Sequence, residues 1–356
     1  MPNNGENYSV LEKDRLYSLD FVKFLLAVVI VFHHFQQIME IKFSHFNFFY
    51  GRIYFGYAVE FFFIISGFVL SYQDEAKKLH CFRSWMLRKM SRILPMASLS
   101  IFACVPILFI RHIKCSDWNS MPGLWNLATS LTCIFAGGGI QLTNLGVNNP
   151  LWYVSVLFIC YVFFFAYNRI SAKIGIKVHY FYILMVLVGM GVHYYEIEFP
   201  FFNSLSCRGY VGFFLGILLY EFYSSCKSLN KLFVVAFIVA ICSAGSIFFG
   251  KMADDKWAIL TFLLFPSVLF VFLRLNSFFL SGIFSVVGAL SFEMYLWHYP
   301  FILLYKTVRE LSKANSVVSR NEMLLFTVAL VILCIPIYFL VEKRISYFVK
   351  SKVLML

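Results

Sequence analysis

Ionisable side chains inside apolar stretches come first, because each is costly to hold in hydrocarbon and is a functional candidate by default. The apolar stretch beginning near Leu16 carries Asp20, Lys23, His33 and His34. Lys23 and His34 lie three helical turns apart and share a face, about 16 Å along the axis, whereas His33 projects about 100° away. Asp20, one turn before Lys23, can pair with it. The next apolar stretch carries Glu60, in Val59-Glu60-Phe-Phe-Phe-Ile-Ile-Ser66-Gly67-Phe68. His34 falls roughly 6 Å below the expected outer surface and Glu60 roughly 9 Å below it. The two therefore share a depth, and a carboxylate beside an imidazole is the usual orienter of a general base. The competing reading of the same pair is a buried His–Glu contact that only locks two helices together.

Two further clusters invite chemistry. Ser291, Tyr295 and His298 recur at i, i+4 and i+7 and fall on one helical face. The alternative is an interfacial aromatic cluster, since Trp and Tyr collect at headgroup level. The stretch from Phe82 to Pro95 carries Arg83, Arg88, Lys89 and Arg92. Read as a cytoplasmic loop opening a span, it sets orientation in the membrane. Arg88, Lys89 and Arg92 would also stand at a helix start, where backbone N–H groups point at anions, so a phosphate-rich ligand would fit there.

The elements that must position these residues are membrane spans. The chain has 356 residues, 61% apolar and only 13% charged, against roughly 25% charged in soluble domains. That surface deficit excludes a soluble enzyme, a disordered chain and a nucleic-acid-binding domain despite a net charge of +12. Apolar runs near 20 residues match a hydrocarbon core of about 30 Å, and unbroken runs are not the alternating strands of a transmembrane barrel. The expected fold class is all-α, a polytopic helical transmembrane bundle. Ten spans are expected, at 16–37, 54–72, 93–110, 151–167, 180–195, 205–223, 232–250, 257–273, 283–305 and 323–341. The Lys/Arg bias places both termini inside. It also argues against an eleventh crossing at Gly123–Ile140, which is read as re-entrant or interfacial. The first run is read as a permanent span rather than a cleaved signal. Residues 1–15 form a cytoplasmic leader, 16–341 a single transmembrane domain and 342–356 a basic cytoplasmic tail. Most of the nine cysteines, including Cys104, Cys133, Cys160, Cys242 and Cys334, lie in apolar runs without metal-like spacing. They read as small buried hydrophobes, and no metal site is expected. One external loop runs against the charge trend: Lys306, Arg309, Lys313 and Arg320 would face outward, toward an anionic acceptor or simply toward water.

Four patterns, in order, resemble the membrane acyltransferase-3 family. Leu19-Asp20-Phe-Val-Lys23 followed by His34 is similar to the family's basic residue, ten residues, then His, with Lys in place of the commoner Arg. Val59–Phe68 is similar to its V-[DE]-x-F-F-x-x-S-G-F stretch. Arg88-Lys89-x-x-Arg92-Ile-Leu-Pro95 is similar to R-R-x-x-R-I-x-P. Ser291-x-x-x-Tyr295-Leu-Trp297-His298-x-Pro300 is the fourth. One departure stands out. Many members carry a Glu soon after a mid-chain Leu-Trp pair, whereas Leu151-Trp152-Tyr-Val-Ser155-Val-Leu has no acid. That resembles a branch with an aromatic-rich motif. The hydrolase-like domain fused to some members is absent from this sequence.

The resemblance implies transfer of an acyl group, usually acetyl, from cytoplasmic acyl-CoA to a hydroxyl of an extracytoplasmic glycan, such as lipopolysaccharide O-antigen or exopolysaccharide, or to a polyprenyl-diphosphate-linked intermediate. It also implies residence in a bacterial inner (cytoplasmic) membrane. Acetyl-CoA would be a donor substrate, with no cofactor bound permanently; membrane lipid is a partner and nucleic acid is not. The expected site has His34 and Glu60 as catalytic residues. Lys23, Arg88, Lys89 and Arg92 would hold the CoA donor, and Ser66, Trp152, Tyr295 and His298 the substrate. The alternative function is a transporter of lipid-linked sugar or polysaccharide with no acyl chemistry, which has no need of a base beside an internal phosphate site.

Overall fold

The structure is a computed structural model. It describes residues 15–73, 81–115, 117, 121–136, 146–249, 256–279, 281–313 and 317–353. The expected leader, up to residue 14, and the Gly137–Gly139 end of the 123–140 stretch lie outside the described residues.

Helices stand at all ten expected span positions. They are α1 (Tyr17–Met39), α2 (Ala58–Tyr72), α3 (Phe82–Lys114), α5 (Trp152–Ile174), α6 (His179–Tyr194), α7 (Ser204–Ser225), α8 (Leu229–Phe249), α9 (Lys256–Arg274), α10 (Ser281–Leu311) and α11 (Arg320–Pro336). A short α4 (Leu124–Leu131) precedes α5, and α11 passes through a π segment, Ile337–Glu342, into α12 (Lys343–Val353). Among the described residues, eight helical segments are long and apolar enough to cross a membrane. α6 is apolar but has 16 residues, and the 31-residue α10 has its apolar run interrupted by Glu293, His298, Lys306 and Arg309. Among the described residues there is no strand. The chain is an all-α polytopic bundle.

One local feature differs from the sequence reading and another agrees with it. The basic stretch from Phe82 to Pro95 is not a loop opening a span, because α3 already begins at Phe82 and runs 33 residues. At 1.5 Å per residue α3 is about 50 Å long, more than a hydrocarbon core requires. At the other stretch, α4 has eight residues and reaches about 12 Å, so it does not cross.

Close helix contacts fix the bundle. A Cβ on Gly67 of α2 would lie 1.9 Å from the Phe213 carbonyl of α7, and one on Gly216 of α7 would lie 2.1 Å from the Ile64 carbonyl. Gly212 meets the Glu60 carbonyl in the same seam. Only residues without a side chain let two backbones approach so closely, which is the small-residue logic of membrane helix pairs. A second close approach places Gly288 of α10 against the Asp20 side chain of α1. Reciprocal capping boxes start α7, through Asn203 and Ser206, and α11, through Ser319 and Glu322. The loop after α1 folds back on it: Gln36 Oε1 accepts from Phe48 N at 2.5 Å and Phe49 N at 3.2 Å, and Gln36 Nε2 donates to Asn47 at 2.8 Å.

Candidate functional site

Three histidines lie toward the Met39 end of the bundle. His34 Nδ1 lies 2.8 Å from Gln37 Oε1, one turn on. With a carbonyl oxygen as partner, Nδ1 carries the proton and Nε2 keeps its lone pair. His298 Nδ1 faces the Met294 carbonyl at 3.1 Å, which fixes the same tautomer, and its Nε2 is buried without a hydrogen-bond partner among the described residues. The rings of His34 and His298 stack with centroids 5.2 Å apart. α1 and α10 therefore bring together two imidazoles, each with Nε2 available to accept a hydroxyl proton or hydrogen bond. His33 is turned elsewhere. It lies fully buried, with Nδ1 3.1 Å from the Phe48 carbonyl and its ring edge-on to Tyr54.

A polar and aromatic column leads inward from this pair. Tyr295 lies 6.0 Å from His298 and 5.6 Å from Tyr153, ring to ring. The Tyr295 hydroxyl donates to the Pro150 carbonyl, and the Tyr153 hydroxyl meets Ser66 Oγ at 2.8 Å. The column thus joins α1, α10, α5 and α2.

Glu60 does not orient His34. Its Oε1 accepts from Arg208 Nε at 2.5 Å and from Trp257 Nε1 at 2.9 Å, and its Oε2 accepts from Arg208 Nη2 at 3.0 Å. Both oxygens are committed, and the α2–α7 seam turns this face of α2 toward α7. The Arg208 guanidinium sits 5.3 Å from the rings of both Tyr57 and Trp152. Trp152 therefore packs on the ion pair rather than beside His34. A buried carboxylate is tolerable only when paired, so Glu60 stands as half of a structural pair. Arg208 was legible in advance: it is an arginine inside the 205–223 run, the same signal that singled out Glu60. Gln37 was legible as the i+3 neighbour of His34.

At the Tyr17 end, Lys23 Nζ pairs with Asp20 at 2.6 Å, as the spacing suggests, and Arg15 Nε reaches the same carboxylate at 2.6 Å. Arg88 and Arg92 are exposed and Lys89 lies over the Trp85 ring at 5.7 Å. They sit in the second and third turns of α3, where backbone N–H groups are already spent in the helix. Any anion there would meet side-chain charge and not a helix terminus. Arg92 acts electrostatically on Glu342, whose carboxyl contacts the buried Glu293.

A cavity of about 430 Å³ opens at the Met39 end, between α1, α3, α10 and the segments around Met121 and Val147. Gln37, the partner of His34, lines it. Two of the four basic residues expected to face outward here are paired. Lys306 Nζ donates to Glu40 at 3.0 Å and the Ile38 carbonyl at 2.8 Å, and Arg309 lies 3.4 Å from Glu322.

Such a bundle, with paired imidazoles at one end and a polar cavity beside them, defines a multi-pass membrane protein with a place for acid–base chemistry. Residues 16–342 match the acyltransferase-3 family model, described as an acyltransferase domain, and the chain belongs to that family. The match covers nearly the whole chain. No curated protein and no solved structure matches.

Proposed function

We propose that the chain is an integral-membrane O-acyltransferase that moves an acetyl group from cytoplasmic acetyl-CoA to a hydroxyl of an extracytoplasmic or lipid-linked glycan. The observation that carries this reading is the 2.8 Å contact between His34 Nδ1 and Gln37 Oε1. Gln37 holds the proton on Nδ1 and leaves Nε2 as a base within a family of acyltransferases. In the reaction the acceptor hydroxyl gives its proton to His34 Nε2 while its oxygen attacks the thioester carbonyl. The C–S bond then breaks, the imidazolium returns the proton to the departing thiolate, and an ester and free CoA result. His298 Nε2, buried beside the base, accepts a hydrogen bond from the acceptor and holds it in line.

The column Tyr295–Tyr153–Ser66 supports an extended thioester arm running from the Tyr17 end toward His34. Lys23, Arg88, Lys89 and Arg92 supply positive charge for the CoA phosphates at that end. The charge bias of the sequence supports the Tyr17 end as cytoplasmic, and residence in a bacterial inner membrane follows from the same reading. A transporter would require no histidine pair with free Nε2 atoms. The test is transfer of labelled acetyl from acetyl-CoA by protein reconstituted in vesicles, together with the mass of cellular glycans with and without the gene. Loss of one acetyl mass on deletion supports the proposal, and unchanged glycans with no transfer in vesicles refute it.

A further inference from the structure

The cavity at the Met39 end differs in character from an anion receptor. Two cations line it among the described residues, Arg111 and Lys306, and both are engaged. Arg111 is buried; Nη1 donates to Glu310 at 2.9 Å and Thr307 at 3.4 Å, and Nη2 donates to Asp117 at 3.3 Å. Lys306 is held by Glu40 and the Ile38 carbonyl. Glu40 and Asp117 also line the cavity, so with Glu310 three carboxylates stand against two cations. The neighbouring sequence segments 118–120 and 137–145 add no ionisable side chain. The remaining polar side chains of the lining are the amides of Gln37, Asn126 and Asn149 and the phenol of Tyr299.

Resting on the acyltransferase reading, we infer that this cavity is the acceptor subsite and that it takes an uncharged, hydroxyl-rich segment, a neutral sugar, while excluding anionic sugars and phosphate. A hydroxyl both donates and accepts. It can give its proton to carboxylate oxygens already committed to a cation, and it can pair with amides in either sense. An anion must displace a carboxylate from Arg111 or Lys306 and then face the carboxylates it freed. Gln37 joins the two functions, with one side chain lining the cavity and fixing the His34 tautomer. A diphosphate carrier would therefore stay outside the cavity while its neutral sugar enters.

The charge state can be read without catalysis. Met121 lines the cavity and is 46% exposed. In a Met121→Cys protein, modification at position 121 is followed by peptide mass spectrometry, which separates it from the native cysteines. The probes are anionic 2-sulfonatoethyl and neutral 2-hydroxyethyl methanethiosulfonate, each normalised to its rate with a free thiol. The sulfonate is expected to react no faster than the neutral reagent. Glu40→Gln, which releases Lys306, is expected to raise the anionic-to-neutral ratio about threefold at low salt and not at high salt, where exposed charges are screened. Full labelling by the neutral reagent is expected to block acetyl transfer while acetyl-CoA still binds. A sulfonate preference of fivefold or more in the parent Met121→Cys protein overturns the charge assignment. Unimpaired transfer after full labelling overturns the cavity as the acceptor subsite. If the unlabelled protein transfers nothing, the acyltransferase reading fails, and the reagent ratio still decides the charge of the cavity.

Discussion

At the scale of the residue, adjacent histidines have different fates. His33 is closed in by Phe48, Phe49 and Tyr54, whereas His34 is half-buried and stacked on His298, with Nδ1 on Gln37 and no partner for Nε2 among the described residues. Losing a general base typically costs 10²–10⁴-fold in rate, so His34→Ala should lose at least 100-fold in kcat at normal membrane levels. Gln37→Leu removes the acceptor that fixes the tautomer. It should lower kcat about tenfold with little change in the KM for acetyl-CoA, and Gln37→Glu should restore much of the rate, as steady-state kinetics in vesicles would show. Glu60 belongs to a different argument. Glu60→Gln leaves Arg208 charged and buried with a weakened partner, and breaking such a pair costs about 3–5 kcal/mol. The expected outcome is a lower melting temperature in detergent and a poor yield. The double variant Glu60→Leu with Arg208→Met should recover much of both. A catalytic Glu60 would give the opposite pattern, with full stability and lost activity.

At the scale of the element, helices announce themselves because long apolar runs have one solution in hydrocarbon: every backbone group must be satisfied within the helix. The span positions were therefore legible, as was the Asp20–Lys23 pair, a local i,i+3 contact. Partnerships between helices were not. The pairing of Glu60 with Arg208 is set by the α2–α7 seam, which depends on Gly67 meeting the Phe213 carbonyl and Gly216 meeting the Ile64 carbonyl. Depth along a span can be counted from sequence, but the direction a helix face turns cannot. The start of α3 was missed for a related reason: the polar turns of a helix that protrudes beyond its apolar run carry no hydropathy signal. The seam gives a direct prediction. Gly216→Leu places a side chain where a first carbon would already sit 2.1 Å from a backbone carbonyl. It should cost more stability than Gly245→Leu on α8, where nothing lies within 4 Å of the added carbon, and thermal unfolding in detergent would rank the two.

At the scale of the whole molecule, the account divides the bundle between its ends. On the proposed function, basic side chains at the Tyr17 end would serve the phosphates of CoA, and the cavity and paired imidazoles at the Met39 end would serve the acceptor. Neutralising Arg88 and Arg92 should therefore weaken use of acetyl-CoA at least fivefold more than use of acetyl-pantetheine, which lacks the nucleotide phosphates. Equal losses for both donors would leave these residues only a role in orienting the chain. All of this depends on one side chain acting as the base between the two ends. The most direct measurement is transfer of labelled acetyl from acetyl-CoA to an external acceptor by purified protein in sealed vesicles, comparing parent, His33→Ala and His34→Ala at equal folded amounts. His34→Ala is expected to fall at least 100-fold while His33→Ala keeps within about tenfold of the parent. Activity retained in His34→Ala and lost in His33→Ala would contradict it.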